Sequence, residues 1–422
     1  MIYSVEGRIV KVDDRFFEKK VKSLTYQYQG NLFPQSYYVS NPNAGDNNGN
    51  EVITFKSTKP NNLLVNYGDG NVATKEFTVS GSDFICGLTI NTENFPFALP
   101  QHVYDDGFEG LRNITFEFLD PDSITEISFR TVQLFGSLPI DTIYFKNLSD
   151  LTYRFASNIV LVPDSFPKKV KTFALEVALQ NRLKSLPDTL FSTEMQGLNL
   201  NSSYDLSDNI SSNFFKINIL KDTLTNLFLQ SCSIVLLPQS LSQCTLLRDL
   251  RIIANPTKNP EVLESLFNLD RLYIDCDSFE NGLFETTLLT SLRFFYAVNL
   301  TESLINDIPL KWKGLKALTN FVRFQDVVLT NPLFQTFIEN FYTLCTENGF
   351  LDPSSTEALN TGFPEQFRDI SWGAGNDWFT VTNPIQAPSG FSLGISNGTP
   401  ANNAEKIYVL VENYGHSVTL AS

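Results

Sequence analysis

The sequence predicts a mainly β protein with some α structure: a solenoid of short repeated strands, flanked by an N-terminal β-sandwich-like region and a small C-terminal β module. Three observations support this fold class. Apolar residues recur at a fixed spacing through the middle of the chain, and residues 1–100 contain alternating or apolar runs between turn residues. Residues 350–422 are rich in Gly, Pro, Asn and Ser around short apolar runs.

Composition excludes several classes of protein. The chain has 422 residues with 36 Phe, 13% aromatic residues and a net charge of −15. Such an apolar and aromatic chain is not disordered, and its acidity argues against a nucleic-acid partner. Only two histidines occur, His102 and His416, so there is little material for a His-based metal site or catalytic triad.

A repeat occupies the middle of the chain. Its clearest copy is LTNLFLQSCSI, residues 224–234, in which apolar residues and Cys232 follow the spacing LxxLxLxx(N/C)x(L/I). From Phe173 onward, the second apolar residues of successive copies are 25, 29, 23, 22, 20 and 29 positions apart. The predicted second apolar residues are Ile114, Ile127, Ile143, Phe173, Leu198, Leu227, Leu250, Leu272, Leu292 and Phe321.

This spacing resembles that of the leucine-rich-repeat family, and more narrowly members from Bacteroidetes and their phages. The resemblance implies a solenoid over residues 101–330, in which each LxxLxL segment forms a strand with alternate side chains inside. The Asn or Cys position closes the turn after each strand. It varies along the chain, which predicts an irregular turn ladder of Ser203, Cys232, Asn255, Asp277 and Ala297.

The flanking segments predict three further units: an N-terminal β region over residues 1–100, a capping helix over 331–350 and a C-terminal β module over 351–422. The YGDG turn at residues 67–70 resembles that of polycystic-kidney-disease-type sandwich domains, with an ordinary Asp-Gly hairpin as the alternative. The stretch from Gln386 to Gly415 is similar to C-terminal segments of phage tail and fibre proteins.

No catalytic, metal or cofactor motif is present in the sequence. The pairs Asp105–Asp106 and Asp120–Asp122 are interpreted as solvated loop acids, with calcium binding as the alternative. Five cysteines without a CxxC pair predict free, mostly buried thiols, and the N-terminus lacks a signal-peptide pattern. No apolar run is long enough for a transmembrane helix.

A binding surface is easier to predict than catalysis, because residues between the apolar positions of each strand face outward. In the middle and late repeats these residues combine arginine with aromatic side chains, the mixture found at interface hot spots. The alternative is that exposed strand positions simply carry β-forming residues. The predicted concave binding face consists of Phe228, Arg251, Arg271, Tyr273, Arg293, Phe295 and Tyr296.

The sequence therefore predicts a non-enzymatic binding or structural protein, in a phage virion as a tail, fibre or decoration component assembled in a bacterial cytoplasm. A bacterial cell-surface leucine-rich-repeat adhesin and a glycan-active enzyme are the alternatives. The expected partners are other virion or surface proteins, or a glycan or protein of the host surface. Neither nucleic acid nor membrane insertion is expected, and a homo-oligomer is a further expectation.

Overall fold

A computed structural model describes three β-sheets, parts of their connections and a few helical residues near the C-terminal end of the chain. The described residues are 4–5, 8–9, 23–29, 52–91, 101–103, 111–130, 134–137, 145–154, 158–162, 166–176, 183, 186–192, 194–201, 205–208, 213–276, 278–280, 282–298, 304, 307, 311, 321–325, 336, 339–340, 342–343 and 406.

Strands before residue 120 pair almost entirely antiparallel. They are β1 Ser4–Val5, β2 Arg8–Ile9, β3 Ser23–Gln29, β4 Val52–Ser57, β5 Asn62–Asn66, β6 Val72–Glu76, β7 Thr78–Ser80, β8 Asp83–Asn91, β9 Gln101–Val103 and β10 Leu111–Phe118. The pair β8–β9 is parallel. The strands β1 and β2 form a separate two-stranded sheet.

The later strands are short and mostly parallel. They are β11 Ile124–Arg130, β12 Leu134–Ser137, β13 Asp150–Arg154, β14 Asn158–Leu161, β15 Thr172–Glu176, β16 Gly197–Asn201, β17 Asn226–Gln230, β18 Asp249–Ile253, β19 Arg271–Asp275, β20 Phe294–Val298 and β21 Phe321–Gln325. Within the long sheet the order is β21-β20-β19-β18-β17-β16-β15-β13-β11-β4-β8-β7. Parallel pairing runs without a break from β11 to β21.

This one-strand-per-repeat ladder has the architecture of a leucine-rich-repeat solenoid, which confirms the predicted fold type. The register aligns one residue of each strand with the buried Leu227 of β17, and the steps between these residues are 24, 22, 25, 29, 23, 22, 23 and 27 positions. The residues are Ile127, Leu151, Phe173, Leu198, Leu227, Leu250, Leu272, Phe295 and Val322.

The early repeats differ from the sequence prediction. A copy was missed at β13, where Leu148, Leu151 and Tyr153 are all buried. The predicted copy around Ile143 lies outside the described residues except for Phe145, which is buried beside a turn. With β13 included, the period extends regularly back to β11.

The predicted copy at residues 111–116 is not part of the solenoid sheet. These residues form β10, which pairs antiparallel with β3 and β5 in a six-stranded sheet ordered β14-β12-β3-β10-β5-β6. Alternating apolar residues are common to any half-buried strand, so the pattern alone could not assign β10 to a sheet.

Phenylalanine rings fill the space between the two sheets. Phe55 of β4 lies 5.1 Å from Phe116 and 5.0 Å from Phe118 of β10, between ring centroids. Phe129 of β11 lies 6.2 Å from Phe55, and Phe145 lies 5.4 Å from Phe118. Edge-to-face packing at these distances makes one continuous core of the two sheets.

The N-terminal strands continue the solenoid sheet directly. Strand β4 pairs antiparallel with β11, the first solenoid strand, and β8 pairs with β4. An open solenoid end exposes unpaired backbone groups and apolar core. Pairing with β4 satisfies those groups at this end.

Described return segments between residues 188 and 265 are short 3-10 helices, whereas Leu304 and Lys311, between β20 and β21, are α-helical. The 3-10 segments begin at LPD or LPQ turns in two repeats, as the sequence predicts. After β11 begins, the described 3-10 segments are Asp188–Ser192, Phe214–Leu220, Gln239–Gln243 and Pro260–Ser265.

The YGDG segment forms the turn between β5 and β6. Gly68 and Gly70 have φ of 78° and 92°, a region that favours glycine. The N–H of Tyr67 donates to the carbonyl of Asn71 at 3.1 Å. This geometry is that of a local hairpin turn, and the likeness to polycystic-kidney-disease-type domains stays a prediction.

The segment predicted as a capping helix is described at five residues, all of them helical: Thr336, Glu339, Asn340, Tyr342 and Thr343. The side chain of Tyr342 is partly buried and packs against the core cluster. The remainder of 331–350 lies outside the described residues.

Of the predicted C-terminal β module, 351–422, only Lys406 is described. It is helical, whereas the sequence predicts the start of a strand there. Its Nζ lies 3.7 Å from Oε1 of Glu339.

Four described cysteines, at 86, 232, 244 and 276, are free and buried, as expected for core thiols. Cys345 and the pair Asp105–Asp106 lie outside the described residues.

Candidate functional site

The outward face of the solenoid sheet carries the candidate site. From β13 to β19, each five-residue strand of this sheet has its second and fourth residues buried in the core, so its first, third and fifth residues lie on the opposite face. Register pairing aligns one residue per strand with the third residue of these strands, from β11 to β21. This middle row is Ser128, Thr152, Ala174, Asn199, Phe228, Arg251, Tyr273, Tyr296 and Arg323.

Small and polar residues at the start of the middle row give way to an arginine between two aromatic rings. The guanidinium carbon of Arg251 lies 4.3 Å from the ring centroid of Phe228 and 4.6 Å from that of Tyr273. Both distances are within the range of cation–π attraction. We name the three residues Phe228, Arg251 and Tyr273 the aromatic ladder.

Asp249 holds the guanidinium of Arg251 in place. Nε and Nη2 of Arg251 donate to the two carboxylate oxygens of Asp249, each at 3.1 Å. This hydrogen bonding raises the pKa of Arg251, with burial acting in the opposite direction. Asp249 is 8% exposed, so a buried carboxylate fixes the position of the Arg251 guanidinium through bidentate hydrogen bonding.

A second group lies along the margin of the face where the strands begin. Arg293 pairs with Asp270 through Nε and through Nη2, the latter 2.8 Å from Oδ2. Arg271 Nε lies 3.7 Å from the same carboxylate, and its guanidinium carbon lies 4.6 Å from the ring centroid of Phe294. Arg271 and Arg293 therefore lie beside the aromatic ladder, two and three residues before the middle-row residues of their repeats.

Phe295 was predicted to face outward, and that prediction is wrong. It is fully buried, pairs in register with Leu272 and contacts Phe284 with 6.1 Å between ring centroids. The sequence reads LTSLRFF, so LxxL fits both Leu289–Leu292 and Leu292–Phe295. Ala297 pairs in register with Ile274, and such a small residue gives little indication of the register.

Because Phe295 points into the core, its neighbour Phe294 lies on the outward face. It is partly exposed and contacts Arg271, whereas the predicted register, with Leu292 as the second apolar residue, makes it a core residue. Tyr296, in contrast, lies opposite Tyr273 in the register, in the middle row. The carboxylates Asp249 and Asp270 were also missed, although each lies within two residues of an arginine of the predicted face.

At the other end of the same face the residues are charged rather than aromatic. Lys56 Nζ lies 2.9 Å from Oδ2 of Asp83, and Lys56 lies opposite Glu126 in the register. Burial raises the pKa of Glu126, Lys56 opposes that rise, and Asp150 and Asp83 add to it. The outward face thus changes along the solenoid from acidic and polar to aromatic and arginine-rich.

Ordinary catalytic or metal chemistry has little support in the described part of the chain. Within it, no group of three or more His, Cys, Asp or Glu side chains could hold a metal ion. The acids Asp120 and Asp122, considered for calcium, pair with Lys59 at 2.5 Å and Lys146 at 3.1 Å. No helix among the described residues is long and apolar enough to cross a membrane.

Comparisons with known proteins show no family for this chain. No family model matches the chain, and no curated protein matches it. Among solved structures, internalin C2 of Listeria monocytogenes is 19% identical with a TM-score of 0.30, over 49% of this chain and 76% of that one.

Two further solved structures are similar at the same level. The ectodomain of the Arabidopsis thaliana receptor kinase GASSHO1/SCHENGEN3, in complex with CASPARIAN STRIP INTEGRITY FACTOR 2, is 17% identical with a TM-score of 0.30, over 50% of this chain and 28% of that one. A leucine-rich-repeat protein of Leptospira interrogans is 17% identical with a TM-score of 0.27, over 48% and 62%. Identities and TM-scores this low carry no functional argument, so function has to be argued from this chain's own face.

Proposed function

We propose that this chain is a non-enzymatic recognition protein that binds a protein partner on the outward face of its solenoid sheet, around the aromatic ladder. The observation that carries the proposal is the position of Arg251, held between the rings of Phe228 and Tyr273 by the buried carboxylate of Asp249. Arginine and large aromatic side chains are the residues that dominate binding energy at protein interfaces.

Preorganisation is what makes this arrangement suited to binding. An exposed arginine ordinarily loses side-chain entropy when a partner immobilises it. Here the two rings and the carboxylate already hold the side chain, so that loss is smaller on binding. Phe228, Arg251 and Tyr273 all remain partly exposed. The ladder is therefore ordered before a partner arrives and still accessible to it.

A protein partner fits the ladder better than a glycan. Sugars stack on open ring faces, and the guanidinium of Arg251 covers one face of Phe228 and one face of Tyr273. A glycan-active enzyme is supported less well still. Two acids beside the ladder, Asp249 and Asp270, are paired with arginines, and this pairing lowers the pKa of Asp270 rather than raising it as a general acid requires.

The setting of this recognition is a proposal from the sequence alone. A phage virion component (tail, fibre or decoration protein) explains together the β regions predicted on either side of the repeat and the buried thiols. A bacterial cell-surface adhesin is the alternative. The ladder proposal holds in either setting, and the identity of genes next to this one would distinguish them.

Selection from a yeast-displayed random peptide library would test the proposal. We expect enriched peptides that bind the wild-type protein and lose roughly tenfold or more in affinity to the Tyr273→Ala and Phe228→Ala variants. Phe215→Ala is the matched control, because Phe215 is an exposed phenylalanine on a 3-10 return segment. Arg251→Ala is a poorer probe, since it leaves the buried Asp249 without its cation.

Thermal unfolding of each variant controls for folding, and little change is expected because these side chains are partly exposed. Peptides that bind all three variants as tightly as the wild type would place recognition elsewhere and contradict the proposal. Cleavage of any polysaccharide in a panel, abolished by one Asp or Glu substitution, would contradict the non-enzymatic part.

A further inference from the structure

The margin of the solenoid face gathers arginines from three consecutive repeats. Arg248 and Arg293 occupy the position just before β18 and β20, and Asp270 occupies the same position before β19. Arg271 begins β19 beside them. We name Arg248, Asp270, Arg271 and Arg293 the arginine margin.

The arginine margin holds more positive than negative charge. Three guanidinium groups act on the one carboxylate: Arg293 foremost, then Arg271 and Arg248 all lower the pKa of Asp270. Arg248 is exposed, and no ion pair joins it to an acid among the described residues. The side chains of Arg271 and Arg293 are 44% and 52% exposed.

Most other ion pairs of the described surface join one lysine to one acid. Lysines pair singly with acids across neighbouring strands or repeats. These pairs are Lys56–Asp83, Lys146–Asp122, Lys216–Asp188, Lys258–Glu280 and Lys311–Glu285. In a chain with a net charge of −15, composition alone does not predict a local excess of three arginines over one acid.

Exposed apolar side chains adjoin the margin. Leu246 lies two residues before Arg248 and is 43% exposed, and Phe267 lies three residues before Asp270 and is 45% exposed. Both belong to the turns that lead from the return segments into β18 and β19. Neighbouring repeats bring these turns side by side. The margin thus combines surplus guanidinium groups with an accessible apolar strip.

We propose that the arginine margin binds an acidic protein segment that also carries apolar side chains. Carboxylates match the fork of the guanidinium group, and apolar side chains would cover Leu246 and Phe267. The inference rests on the proposed recognition function and adds the chemistry of the partner. It also separates two contributions: the margin attracts by charge, whereas Arg251 in the ladder is already neutralised by Asp249.

A labelled decapeptide of repeated Glu-Glu-Phe is the direct probe, with a Lys-Lys-Phe decapeptide and a single-stranded DNA decamer as comparisons. We expect fluorescence anisotropy to show binding of the acidic peptide alone, and weaker binding as salt rises. Attraction of a negative peptide to a protein of net charge −15 would have to be local.

Alanine substitutions show where on the protein the acidic peptide binds. The double substitution Arg248→Ala with Arg271→Ala should weaken binding of the acidic peptide roughly tenfold. The control is Lys59→Ala with Lys146→Ala, which removes the same charge from exposed lysines in loops near the N-terminal end of the solenoid. That control should bind as the wild type does, and thermal unfolding should show both double variants folded.

Three results would overturn the inference: equal binding of the acidic and basic peptides, equal loss in the two double variants, or DNA binding as tight as that of the acidic peptide. Such a failure is distinguishable from failure of the recognition proposal. If library peptides still depend on Tyr273, the proposal that the aromatic ladder binds a partner stands, and only the proposal for the arginine margin fails. If peptide binding depends neither on the aromatic ladder nor on the arginine margin, the proposed recognition function itself is contradicted.

Discussion

Adjacent phenylalanines on β20 have opposite surroundings. Phe295 is fully buried against Phe284, whereas Phe294 is partly exposed under the guanidinium group of Arg271. A strand alternates its faces residue by residue, so a shift of one position exchanges the two roles. Which of the two rings belongs to the core is therefore a direct measure of the register of this repeat.

Replacing Phe295 by alanine should lower the free energy of unfolding by about 3–5 kcal/mol, because it empties a packed core position. Replacing Phe294 by alanine should cost less than about 1 kcal/mol, since it removes a partly exposed ring and one cation–π contact. Urea unfolding of both variants measures the difference. Equal costs, or a larger cost at Phe294, would mean that the repeat has the register first inferred from LTSLRF.

At this scale the sequence predicted the outward residues of repeats with a distinct LxxLxL pattern. Phe228, Arg251 and Tyr273 all lie in the predicted middle row, because Leu and Ile mark the inward positions on both sides of each. The prediction was wrong at Phe295, where every nearby position is apolar. Binding by the predicted residues stays a prediction.

At the scale of the element, one asparagine organises the turn between two repeats. The side-chain oxygen of Asn255 accepts hydrogen bonds from the N–H groups of Cys232 at 2.8 Å and Ile234 at 3.2 Å. Its amide nitrogen donates to the carbonyls of Leu229 and Ile253, each at 2.9 Å. The residue is 2% exposed, so no solvent replaces these bonds.

The Asn255→Ala variant should be destabilised by about 2–4 kcal/mol, because two buried N–H groups lose their acceptor. Asn226→Ala is the matched control: Asn226 is exposed on β17 and should cost less than about 0.5 kcal/mol. Chemical denaturation followed by circular dichroism measures both. A loss at Asn255 no greater than at Asn226 would show that the turn does not depend on this side chain.

Turns also show why elements were only partly predictable. The sequence predicted that the residue closing each turn varies from repeat to repeat. In the repeat before Asn255 this residue is Cys232, whose Sγ donates to the carbonyls of Leu200 and Gln230. Ser231, Ser233 and Ala254 adopt positive φ near these turns. Non-glycine residues rarely do so, and no local pattern marks them in advance.

At the scale of the whole molecule, buried thiols and a buried phenol link stability to alkaline pH. Burial raises the pKa of Cys86 to about 11, of Cys244 to about 12 and of Tyr67 to about 12. In the unfolded chain these groups ionise near 9.0 for cysteine and 10.0 for tyrosine. The folded state therefore favours their neutral forms, and their stabilising effect is complete below pH 9.

As pH rises from about 9 to about 12, the unfolded state gains ionised groups that the folded state excludes, and stability should fall by roughly 2 kcal/mol or more per thiol. Urea midpoints across this range measure the fall. Cys244→Ala should start less stable and lose less on the same change of pH. A midpoint that stays constant to pH 11 would contradict the burial of these groups.

The sequence by itself determined the repeat period, the inward apolar positions of most strands and the acidic, aromatic character of the chain. These follow from local spacing, because each repeat must bury one face of one strand. Only the tertiary structure decided the register of β20, the membership of β10 in a second sheet and the meeting of Arg248, Asp270, Arg271 and Arg293. Those features depend on which strands lie side by side, and residues more than twenty positions apart become neighbours only through that pairing.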